Sequence, residues 1–572
     1  MKRLFRVWAP HAATVDLVLE GTWHRMRRGD DGHHQVEADA RAGARYGFSL
    51  DGGAVVPDPR SRAQPDGVHG LSAVVDPSPP STEWHGRDLR DAVIYELHVG
   101  TFTPEGTFDG AIGKLDHLAS LGIDAIELMP IAEFPGDRGW GYDGVDLYAP
   151  HHAYGGPEGL DRLVAACHAR GIAVVLDVVY NHLGPDGNYL ARFGPFFMDR
   201  YRTPWGEALN YDDADSAPVR DHMIENALMW AEAHGIDGFR LDAIDQIFDR
   251  SATPLLEELT ARVERLGNEL GRRIWVIAES DLNDPKVVRE RDRWGWGLDA
   301  QWSDDVHHAL HALLTGERTG YYGDFGRMAD LAKALREVYV YDGRWSAFRR
   351  RSHGRPFGDL PGHRAIAFAQ DHDQVGNRAK GERLTHLVAP ERLRIAAAVV
   401  LLAPYVPMLF MGEEWGAATP FLYFTDHRDE RLARAVREGR RNEFAHFGWR
   451  PEEILDPQSP DAFARSKLDW AEPAREPHRS LLDWHRSLIG LRRAVPELRD
   501  GRRDAVAIAC DEEGRWLRMT RGPITLAFAL DRPADVPVAE DAGELALASD
   551  ERISRSSRIL HLPAESVAIL RR

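Results

Sequence analysis

The sequence predicts an α/β protein, a (β/α)8 TIM barrel flanked by a β-sandwich at each end of the chain. Three observations support this prediction. Eight apolar strand patterns alternate with helical patterns through the middle, short alternating strands occupy both ends, and 572 residues exceed what one hydrophobic core usually spans. We therefore expect three domains, at residues 1–88, 89–498 and 499–572.

The first β-sandwich is expected from the N-terminal stretch "FRVWAPHAATVDLVLEG", in which turn residues separate short alternating strands. The pattern continues to the Pro- and Gly-rich "VPDPRSRAQPDGVHG" and then to an irregular connection through "DPSPPSTEWHG". Such a rhythm is typical of a small all-β module rather than of a helical one.

The barrel is expected from eight apolar segments, which are "AVIYELHVG", "AIELMP", "IAVVLDVVYNH", "GFRLDAID", "IWVIAES", "LDAQWS", "RAIAFAQDHD" and "PMLFMGEEW". Helical patterns such as "FDGAIGKLDHLASLG" and "GLDRLVAACHARG" separate the earlier ones. Uninterrupted apolar strands alternating with helices are typical of a parallel barrel. The longer gaps after the third and sixth segments predict insertions at the rim.

The second β-sandwich is expected from about Asp500 onward, where short β patterns return in "AVAIAC", "WLRMT", "ITLAFAL" and "SVAIL". These patterns indicate a C-terminal all-β module.

The composition narrows the classes of partner. With 71 Lys and Arg against 90 Asp and Glu the net charge is −19, which argues against nucleic acid or an anionic membrane as partner. We see no apolar run of about 18 residues and no signal peptide, so we expect a cytoplasmic protein. Cys167 and Cys510 lie too far apart in the chain for a disulfide framework. We also expect a monomer or homodimer that needs no cofactor.

Charged side chains collect at the carboxyl ends of the predicted strands, where barrel enzymes keep their catalytic groups. In "GFRLDAID", Arg240 and Asp242 share one face because side chains alternate along a strand. Similar residues end or follow three other strands, namely Asp177 and His182 after the third, Glu279 after the fifth, and His372 and Asp373 after the seventh. A structural ion pair would explain one such end but explains four poorly.

Carboxylates together with an Arg and two His suit either a metal site or glycoside hydrolysis. The His-x-His pair typical of metal-dependent barrel hydrolases is absent from the first strand, which offers only His98. Glycoside hydrolysis is the better match, since it needs a carboxylate nucleophile and a carboxylic acid about 5 Å apart when configuration is retained. A neighbouring Arg keeps such a nucleophile ionised.

The segments "DVVYNH", "GFRLDAID", "IAES" and "QDHD" resemble, in order and spacing, the four signature regions of the α-amylase superfamily, glycoside hydrolase family 13. The resemblance implies Asp242 as nucleophile, Glu279 as general acid/base and Asp373 as transition-state stabiliser. It also implies a set of residues around the cleavage subsite. These are Arg240, His182 and His372, which hold the sugar, Tyr142, which stacks on it, and Asp177, a mainly structural acid.

Two further resemblances refine this expectation. "FRVWAPHAATVDLV" resembles a family 48 carbohydrate-binding module. "YELHVGTFTPEGTFDGAI", "PWGEALNYD", "IAESDLNDPKVV", "YYGDFG" and "QDHDQVGNRAKGER" together resemble the trehalose-releasing members of the superfamily. They imply hydrolysis of the α-1,4 bond next to the terminal trehalose of maltooligosyl-trehalose, which leaves a shortened maltodextrin. The residues implied near the trehalose are Trp205, Tyr322, Phe348 and Arg349, with ordinary loop packing as the alternative for Trp205 and Phe348.

Other interpretations stay open. A glycogen branching or debranching enzyme would share the modules and the acids, although the second and fourth signatures of a branching enzyme usually differ from those found in this chain. A non-catalytic glucan-binding scaffold would not need the three acids. Asn181 matches a calcium-binding position of many α-amylases, but a lone Asn in a loop is weak evidence and we predict no metal.

One residue departs from the family pattern, since the family usually has Asn where this chain has Asp371. Because Asp371 precedes His372, its carboxylate either joins the acidic cluster and raises the pKa of Glu279, or faces solvent or pairs with an Arg such as Arg378.

Overall fold

The centre of the molecule is a closed barrel of eight parallel strands, each paired with its neighbours along the chain and the last paired with the first. The computed structural model describes residues 1–76, 83–445 and 455–572. The barrel strands are Ile94–Leu97, Ala125–Leu128, Ala173–Val178, Gly238–Leu241, Trp275–Ala278, Ala300–Trp302, Ala365–Ala367 and Val406–Phe410. They lie in the eight segments expected from the sequence, so the predicted fold class is confirmed.

One apolar cluster fills the lower part of the barrel and is called the apolar layer. Its members on the strands are Ile94, Ala125, Ala173, Val175, Trp275, Ile277, Ala300, Trp302, Ile366, Val406 and Met408, and Phe368 joins them directly after the seventh strand. The fourth strand contributes no side chain, because a Cβ atom at Gly238 would lie 2.9 Å from the Cβ of Trp275. Glycine at this position leaves the room that the indole occupies.

A second set of inward-facing side chains lies two residues further along the same strands and is called the polar layer. It consists of Glu96, Glu127, Asp177, Arg240 and Glu279. Since side chains alternate along a strand, these residues share the inward face with the apolar layer, but they lie nearer the carboxyl ends.

The α-helices surround the barrel and extend beyond its eighth strand. They run over Val99–Phe102, Phe108–Ile112, Leu115–Leu121, Gly156–His168, Leu190–Phe193, Ser216–His234, Leu255–Glu269, Asp304–Thr315, Met328–Glu337, His372–Gly376, Leu384–Leu387, Pro390–Leu402, Glu430–Ala445, Pro460–Arg465 and His478–Ala494. Arg492 on the last helix donates to the carbonyls of Leu401, Ala403 and Tyr405, at 2.9, 3.2 and 2.7 Å, which fixes that helix against the barrel.

The expectation of eight complete strand–helix units is wrong between the fifth and sixth strands. Residues 279–299 are all described, and their helical structure is the short 3-10 turn Arg291–Arg293. A cavity of about 780 Å³ opens there, lined by residues such as Thr260, Arg272 and Arg364. None of the acids predicted to be catalytic lines it, so this cavity is separate from the candidate site.

Hairpins extend the barrel rim. The expected insertions after the third and sixth strands contain the hairpins Phe197–Thr203 with Gly206–Leu209, and Asp342–Ser346 with Arg351–Gly354. A third pair of short strands, Ala132–Glu133 and Asp146–Pro150, follows the second barrel strand.

Two antiparallel sheets form each flanking module. The N-terminal sheets contain Lys2–Trp8, His33–Asp39 and Arg27–Arg28, and Thr22–Arg25, Val15–Leu19, Arg45–Leu50 and Ser72–Ala73. The C-terminal sheets contain Val506–Asp511, Trp516–Arg521, Ile524–Ala529, Ser566–Arg571 and Glu544–Ala548, and Ala534–Pro537, Ile559–Leu562 and Ser554–Arg555. The exact domain boundaries stay a prediction, and part of the connection before the barrel, residues 77–82, lies outside the described residues.

Two smaller findings complete the fold. Among the helices that the structure describes, none has the length and apolar character needed to span a lipid bilayer. Cys167 and Cys510 are both free thiols, the first buried and the second partly exposed.

Candidate active site

Arg240 lies at the centre of the polar layer and joins three strand ends. Its Nη1 donates to both carboxylate oxygens of Asp177, at 3.0 and 2.9 Å, and to Oδ1 of Asp242 at 2.9 Å. Its Nη2 lies 3.7 Å from Oε2 of Glu279, and the guanidinium lies 4.4 Å above the ring of Trp302. The side chain is 0% exposed, so the cation is held by acids and an indole rather than by water.

Asp242 is bonded on both carboxylate oxygens. Nδ2 of Asn181 donates to Oδ2 of Asp242 at 2.7 Å and to its main-chain carbonyl at 2.6 Å, while Arg240 donates to Oδ1. Donors on both oxygens fix the orientation of the carboxylate and the direction of its remaining lone pairs. Asn181 therefore orients a carboxylate here, a role that the comparison with calcium sites did not suggest.

The turn after Asp242 has a strained backbone conformation that directs a main-chain N–H toward Glu279. Ala243 has φ +37°, in the left-handed region that non-glycine residues rarely adopt. In this conformation the main-chain N–H of Ala243 donates to Oε2 of Glu279. The turn thus links the ends of the fourth and fifth strands.

Glu279 is held in conditions that favour its protonated form. Burial raises its pKa well above the ordinary value, and the nearby carboxylates of Asp242, Asp373 and Asp304 raise it further against the opposing charge of Arg240. A carboxyl group that keeps its proton near neutral pH can act as a general acid. The surroundings of the two acids therefore differ: both oxygens of Asp242 accept hydrogen bonds, whereas burial and nearby carboxylates raise the pKa of Glu279.

A chain of hydrogen bonds connects the first and seventh strands to Asp177. Nδ1 of His372 bonds to Glu96, and the main-chain N–H of His372 donates to the same carboxylate at 3.0 Å. Nε2 of His372 lies 2.7 Å from the hydroxyl of Tyr142, which donates to Asp177 at 2.6 Å.

The same contacts decide the charges of His372 and Asp177 in this chain of hydrogen bonds. Burial lowers the pKa of His372, but the carboxylates of Glu96 and Asp373 outweigh it and raise that pKa to about 10. Burial raises the pKa of Asp177 to about 6, against the lowering effect of Arg240. His372 therefore carries a positive charge at neutral pH.

Asp373 and Asp371 lie at the start of the helix His372–Gly376. Oδ1 of Asp373 accepts from Nδ2 of Asn377 at 3.0 Å and lies 3.6 Å from Nε2 of His372, and its side chain is partly exposed. The carboxylate of Asp371 accepts from the main-chain N–H of Gln374 at 2.8 Å and caps the helix.

The contacts of Asp371 decide between the two expectations stated for it. The residue is buried, and Arg378 bonds to Glu317 at 2.9 Å, so the alternatives of a solvent-facing carboxylate or a pair with Arg378 are wrong. Burial and the charge of Glu96 raise the pKa of Asp371 to about 7. Its carboxyl belongs to the acidic cluster but is partly neutralised there.

Glu127 is an acid of the polar layer that the sequence reasoning missed. It pairs in register with Glu96 on the neighbouring strand and is 1% exposed. Neither carboxyl oxygen has a hydrogen-bond partner among the residues that the structure describes. Burial and Glu96 raise its pKa well above the ordinary value, so Glu127 is held neutral beneath the ionised groups.

Aromatic rings mark one side of the cleft. The imidazole of His182 stacks on the indole of Trp205, with ring centroids 4.2 Å apart and an interplanar angle of 14°. Trp205 is 52% exposed, so one of its faces covers His182 while the ring stays accessible. Its contact with a predicted sugar-holding residue brings Trp205 to the site.

The remaining predicted residues lie near the fifth and seventh strand ends. Arg349 donates to Asp281, two residues beyond Glu279, at 2.8 Å, and its neighbour Phe348 is 49% exposed. Tyr322 is 2% exposed and bonds to His307 at 2.9 Å, so its ring is packed behind the cleft and only its hydroxyl reaches Gln374, at 3.3 Å.

The acids that sequence reasoning missed share one signal. Glu96 and Glu127 are each the next-to-last residue of their strands, the position that Asp177 and Arg240 also take. His98, which follows the first strand, has a buried ring bonded to Thr101 at 3.0 Å and to the carbonyl of Gly139 at 2.9 Å. An acid near the carboxyl end of an otherwise apolar strand is the signal that would have identified both glutamates.

One group of side chains in the described part of the chain has the spacing of a metal site, namely Glu133, His151 and His152. Nδ1 of His151 accepts the main-chain N–H of Ala153 at 3.1 Å, so in the neutral ring Nε2 carries the proton and has no lone pair for a metal. His152 bonds to Glu133 at 2.7 Å without a metal. The group is therefore explained as a buried hydrogen-bond cluster.

Comparison with known proteins gives a consistent family assignment. The model of the α-amylase catalytic domain matches residues 56–194. Malto-oligosyltrehalose trehalohydrolase from Arthrobacter ramosus is 50% identical over 100% of both chains. The protein of the same name from Mycobacterium tuberculosis (strain H37Rv) is 47% identical over 99% of both chains.

A solved structure resembles the chain over its whole length. A crystal structure from Salmonella typhimurium, assigned provisionally as an α-amylase, has a TM-score of 0.91 and 40% sequence identity, and the match covers 100% of this chain and 97% of that one. The likeness in fold and the likeness in sequence therefore both cover the whole chain.

Proposed function

We infer that this chain, which belongs to the malto-oligosyltrehalose trehalohydrolases of the α-amylase family, hydrolyses the α-1,4 bond next to the terminal trehalose of maltooligosyl-trehalose. The products are trehalose and a maltodextrin. The observation that supports this chemistry most directly is the Arg240 guanidinium, which donates to Asp242 at 2.9 Å and approaches Glu279, an acid whose pKa is raised.

In the first half of the proposed reaction, a carboxylate oxygen of Asp242 attacks the anomeric carbon of the glucose to be cleaved. Glu279 gives its proton to the glycosidic oxygen, the bond between that oxygen and the anomeric carbon breaks, and trehalose leaves. Arg240 and Asn181 hold the Asp242 carboxylate in one orientation for the attack. The raised pKa of Glu279 supplies the proton near neutral pH.

In the second half, the Glu279 carboxylate takes a proton from water while the water oxygen attacks the same anomeric carbon. The ester bond to Asp242 breaks, and the maltodextrin leaves with its anomeric configuration retained. Glu279 is then protonated and Asp242 ionised, as at the start. Asp373 is proposed to stabilise the oxocarbenium-like transition states of both halves.

The glucose at the cleavage subsite is proposed to be held by His182, His372 and Tyr142. His372 is fixed beside Asp373 by its bonds to Glu96 and Tyr142, which supports a role in shaping the subsite around the sugar. Asp177 accepts from Arg240 and Tyr142, which leaves it as a mainly structural acid.

The leaving trehalose is proposed to contact Trp205, Phe348 and Arg349. Trp205 and Phe348 are half exposed, and Arg349 is anchored through Asp281 close to Glu279. The contribution proposed for Tyr322 is narrower, since it supports Gln374 through its hydroxyl rather than offering its ring. A cytoplasmic location and a monomeric or homodimeric state are kept as proposals from the sequence.

The product profile tests the function. With maltotetraosyl-trehalose we expect trehalose and maltotetraose as the first products, and a much lower kcat/KM with maltohexaose. A site shaped for the bent α,α-1,1-linked leaving group stabilises the transition state of that substrate more than the transition state of a linear maltooligosaccharide. Equal kcat/KM values on both substrates would indicate a general amylase, and formation of α-1,6 branches from amylose would indicate a branching enzyme.

A further inference from the structure

Asp373, the acid proposed to stabilise the transition states, is oriented by one side-chain amide. Its Oδ1 accepts from Nδ2 of Asn377 at 3.0 Å, and among the residues that the structure describes this is the single hydrogen bond of its carboxylate. The carboxylate also lies 3.6 Å from Nε2 of His372, and the side chain is 40% exposed. Asp242, by contrast, accepts on both oxygens. The direction of the Asp373 carboxylate therefore depends on Asn377.

Arg440 decides which way the Asn377 amide faces. Its Nη1 donates to Oδ1 of Asn377 at 2.7 Å. A guanidinium has five N–H donors and no acceptor, so the atom of Asn377 that faces it must be the carbonyl oxygen. With Oδ1 held by Arg440, the NH2 group of the same amide is directed to Asp373. An amide turned the other way would place an oxygen against the carboxylate, where neither group could donate.

The same guanidinium holds the end of the short helix that begins with His372 and carries Asp373. Nη2 of Arg440 donates to the main-chain carbonyl of Gly376, the last residue of that helix, at 2.9 Å. The last carbonyls of a helix have no partner within it, so this bond satisfies one of them. A Cβ atom at Gly376 would lie 2.1 Å from Cζ2 of Trp140, so the indole packs directly on the helix end. The helix end is therefore fixed between an indole and a guanidinium.

Arg440 comes from outside the barrel strands and is itself held by packing. It lies on the helix Glu430–Ala445, which follows the eighth strand. Its guanidinium lies 4.4 Å above the ring of Tyr423, and that ring lies 5.0 Å from the ring of Trp140. A planar guanidinium with an aromatic ring on one face and acceptors on two of its arms has little freedom to turn. It is therefore a fixed point from which Asn377 is oriented.

We propose that Arg440 is a positioning residue for Asp373. It acts through Asn377, whose amide it orients, and through the end of the helix that carries the acid. This inference rests on the proposed function, because it takes Asp373 as the group that stabilises the transition states. A carboxylate turned away from the developing positive charge of the sugar stabilises the transition state less, whereas the bound substrate is affected little. Arg440 therefore contributes to kcat more than to KM.

The first test is Arg440→Ala with maltotetraosyl-trehalose as substrate. We expect kcat to fall by about tenfold to a hundredfold while KM stays within about threefold of the wild-type value. A loss that appears in KM alone, or a kcat within about twofold of wild type, would overturn the proposal.

The matched control is Arg437→Ala, on the same helix. It removes a contact with Asp456, at 2.8 Å, that does not lead to Asp373. This variant should keep kcat within about twofold of wild type. A fall of kcat in the control as large as in Arg440→Ala would mean that disturbance of the helix, rather than the contacts of Arg440, weakens the reaction, and the proposal would be wrong.

A double-mutant cycle with Asn377 separates positioning from a general structural role. Asn377→Ala already removes the bond to Asp373, so adding Arg440→Ala should cost only what the contact with Gly376 contributes. The kcat of the double variant should lie within about threefold of the kcat of the less active single variant. Losses that multiply would show that Arg440 and Asn377 act independently, which contradicts the proposed role.

A circular-dichroism melt shows whether each variant folds, and Arg440→Lys replaces Arg440→Ala if the latter does not. Lysine keeps the charge, but its single ammonium group lacks the planar fork that reaches Asn377 and Gly376 together. It should lower kcat by at least about threefold, and a wild-type kcat would count against the proposal.

Failure of the proposed function gives a different result, because the wild-type protein would then release no trehalose. The same cycle with maltohexaose would still decide the role of Arg440, since Asp373 is proposed to act at the anomeric carbon whichever sugar leaves. Non-additive losses of kcat on maltohexaose would support the positioning role, and additive losses would overturn it.

Discussion

The apolar layer and the polar layer of the barrel occupy the same strands two residues apart, yet they have opposite chemistry. In the apolar layer Trp275, Ile277 and Trp302 are buried side chains of one apolar cluster. In the polar layer Arg240 is equally buried but is surrounded by carboxylates, and Glu127 has no described partner. The difference shows that strand pairing and closure position a site, while the inward residues at the carboxyl ends decide its chemistry.

The two layers also differ in what they do for stability. Burying apolar side chains stabilises the fold by about 25 cal/mol per Å². Burying ionised groups is offset by desolvation, so a polar layer is retained for function rather than for stability. Substitutions in one layer should therefore change activity, and substitutions in the other should change the free energy of unfolding.

The largest effect is expected in the polar layer and beside it, for Asp242→Asn and Glu279→Gln. Each should lower kcat by about a thousandfold or more, since each removes a group that acts mainly in the transition state. The free energy of unfolding should stay the same or rise, because fewer acids then compete for Arg240. Steady-state kinetics and urea unfolding measure the two quantities, and more than a tenth of wild-type kcat in either variant would contradict the assigned role.

The next effect is expected in the apolar layer, for Trp275→Ala. It should lower the free energy of unfolding by about 3–5 kcal/mol, as for other large aromatic side chains removed from a core. It also removes the bond from Nε1 to the carbonyl of Arg87, at 3.1 Å. The kcat of the folded fraction should change by less than about tenfold.

The control for Trp275 is Trp294→Ala, since Trp294 is 89% exposed. That substitution should change stability by less than about 0.5 kcal/mol. If Trp275→Ala were as stable as the control, the apolar layer would not be the stabilising part of the barrel interior.

A smaller effect is expected for Glu96→Gln, which removes the charge of a polar-layer acid but keeps the size and shape of its side chain. Without the Glu96 carboxylate, burial dominates and the pKa of His372 falls from about 10. A His whose folded pKa is raised contributes stability that is full below its ordinary pKa of 6.5 and is lost as pH rises through about 10. Wild-type stability should therefore fall over this window, and that component should be missing in Glu96→Gln.

Urea unfolding between pH 6 and pH 10 measures this difference, with Glu127→Gln as the matched control on the neighbouring strand. Because Glu127 is already held neutral, replacing it by Gln should leave the pH dependence nearly unchanged. A similar change in both variants would show that His372 does not depend on Glu96 for its charge.

The smallest effect is expected for Asp371→Asn. Asn also caps helices, so folding should be retained. The substitution removes a negative charge from the acidic cluster that Asp371 shares with Asp373, so it should lower the pKa of Glu279. Since the general acid must be protonated, the alkaline limb of kcat should move to lower pH by some tenths of a unit. Superimposable limbs at fixed ionic strength would mean that Asp371 has no electrostatic effect on the general acid.

Much of the fold was predictable because strand and helix patterns depend on residues that are close in sequence. The eight barrel segments are runs of apolar residues, and Arg240 and Asp242 were assigned to one face by alternation alone. The absence of an α-helix between the fifth and sixth strands was not predictable in this way. The sequence pattern predicts a regular barrel, and only the structure shows that residues 279–299 contain a short 3-10 turn in place of a helix.

The sequence by itself determined which residues end the strands, and hence that Asp177, Arg240, Asp242 and Glu279 would meet at one end of a barrel. Only the tertiary structure decided how they are charged. Glu96 lies opposite Glu127 in register and bonds to His372, which follows it by 276 residues. Because a pKa depends on burial and on charges within a few ångströms, closure of the barrel makes His372 a cation and keeps Glu127 and Glu279 protonated. Local sequence patterns carry no information about such distances, so barrel closure decided the direction in which the pKa values of Glu127, Glu279 and His372 shift.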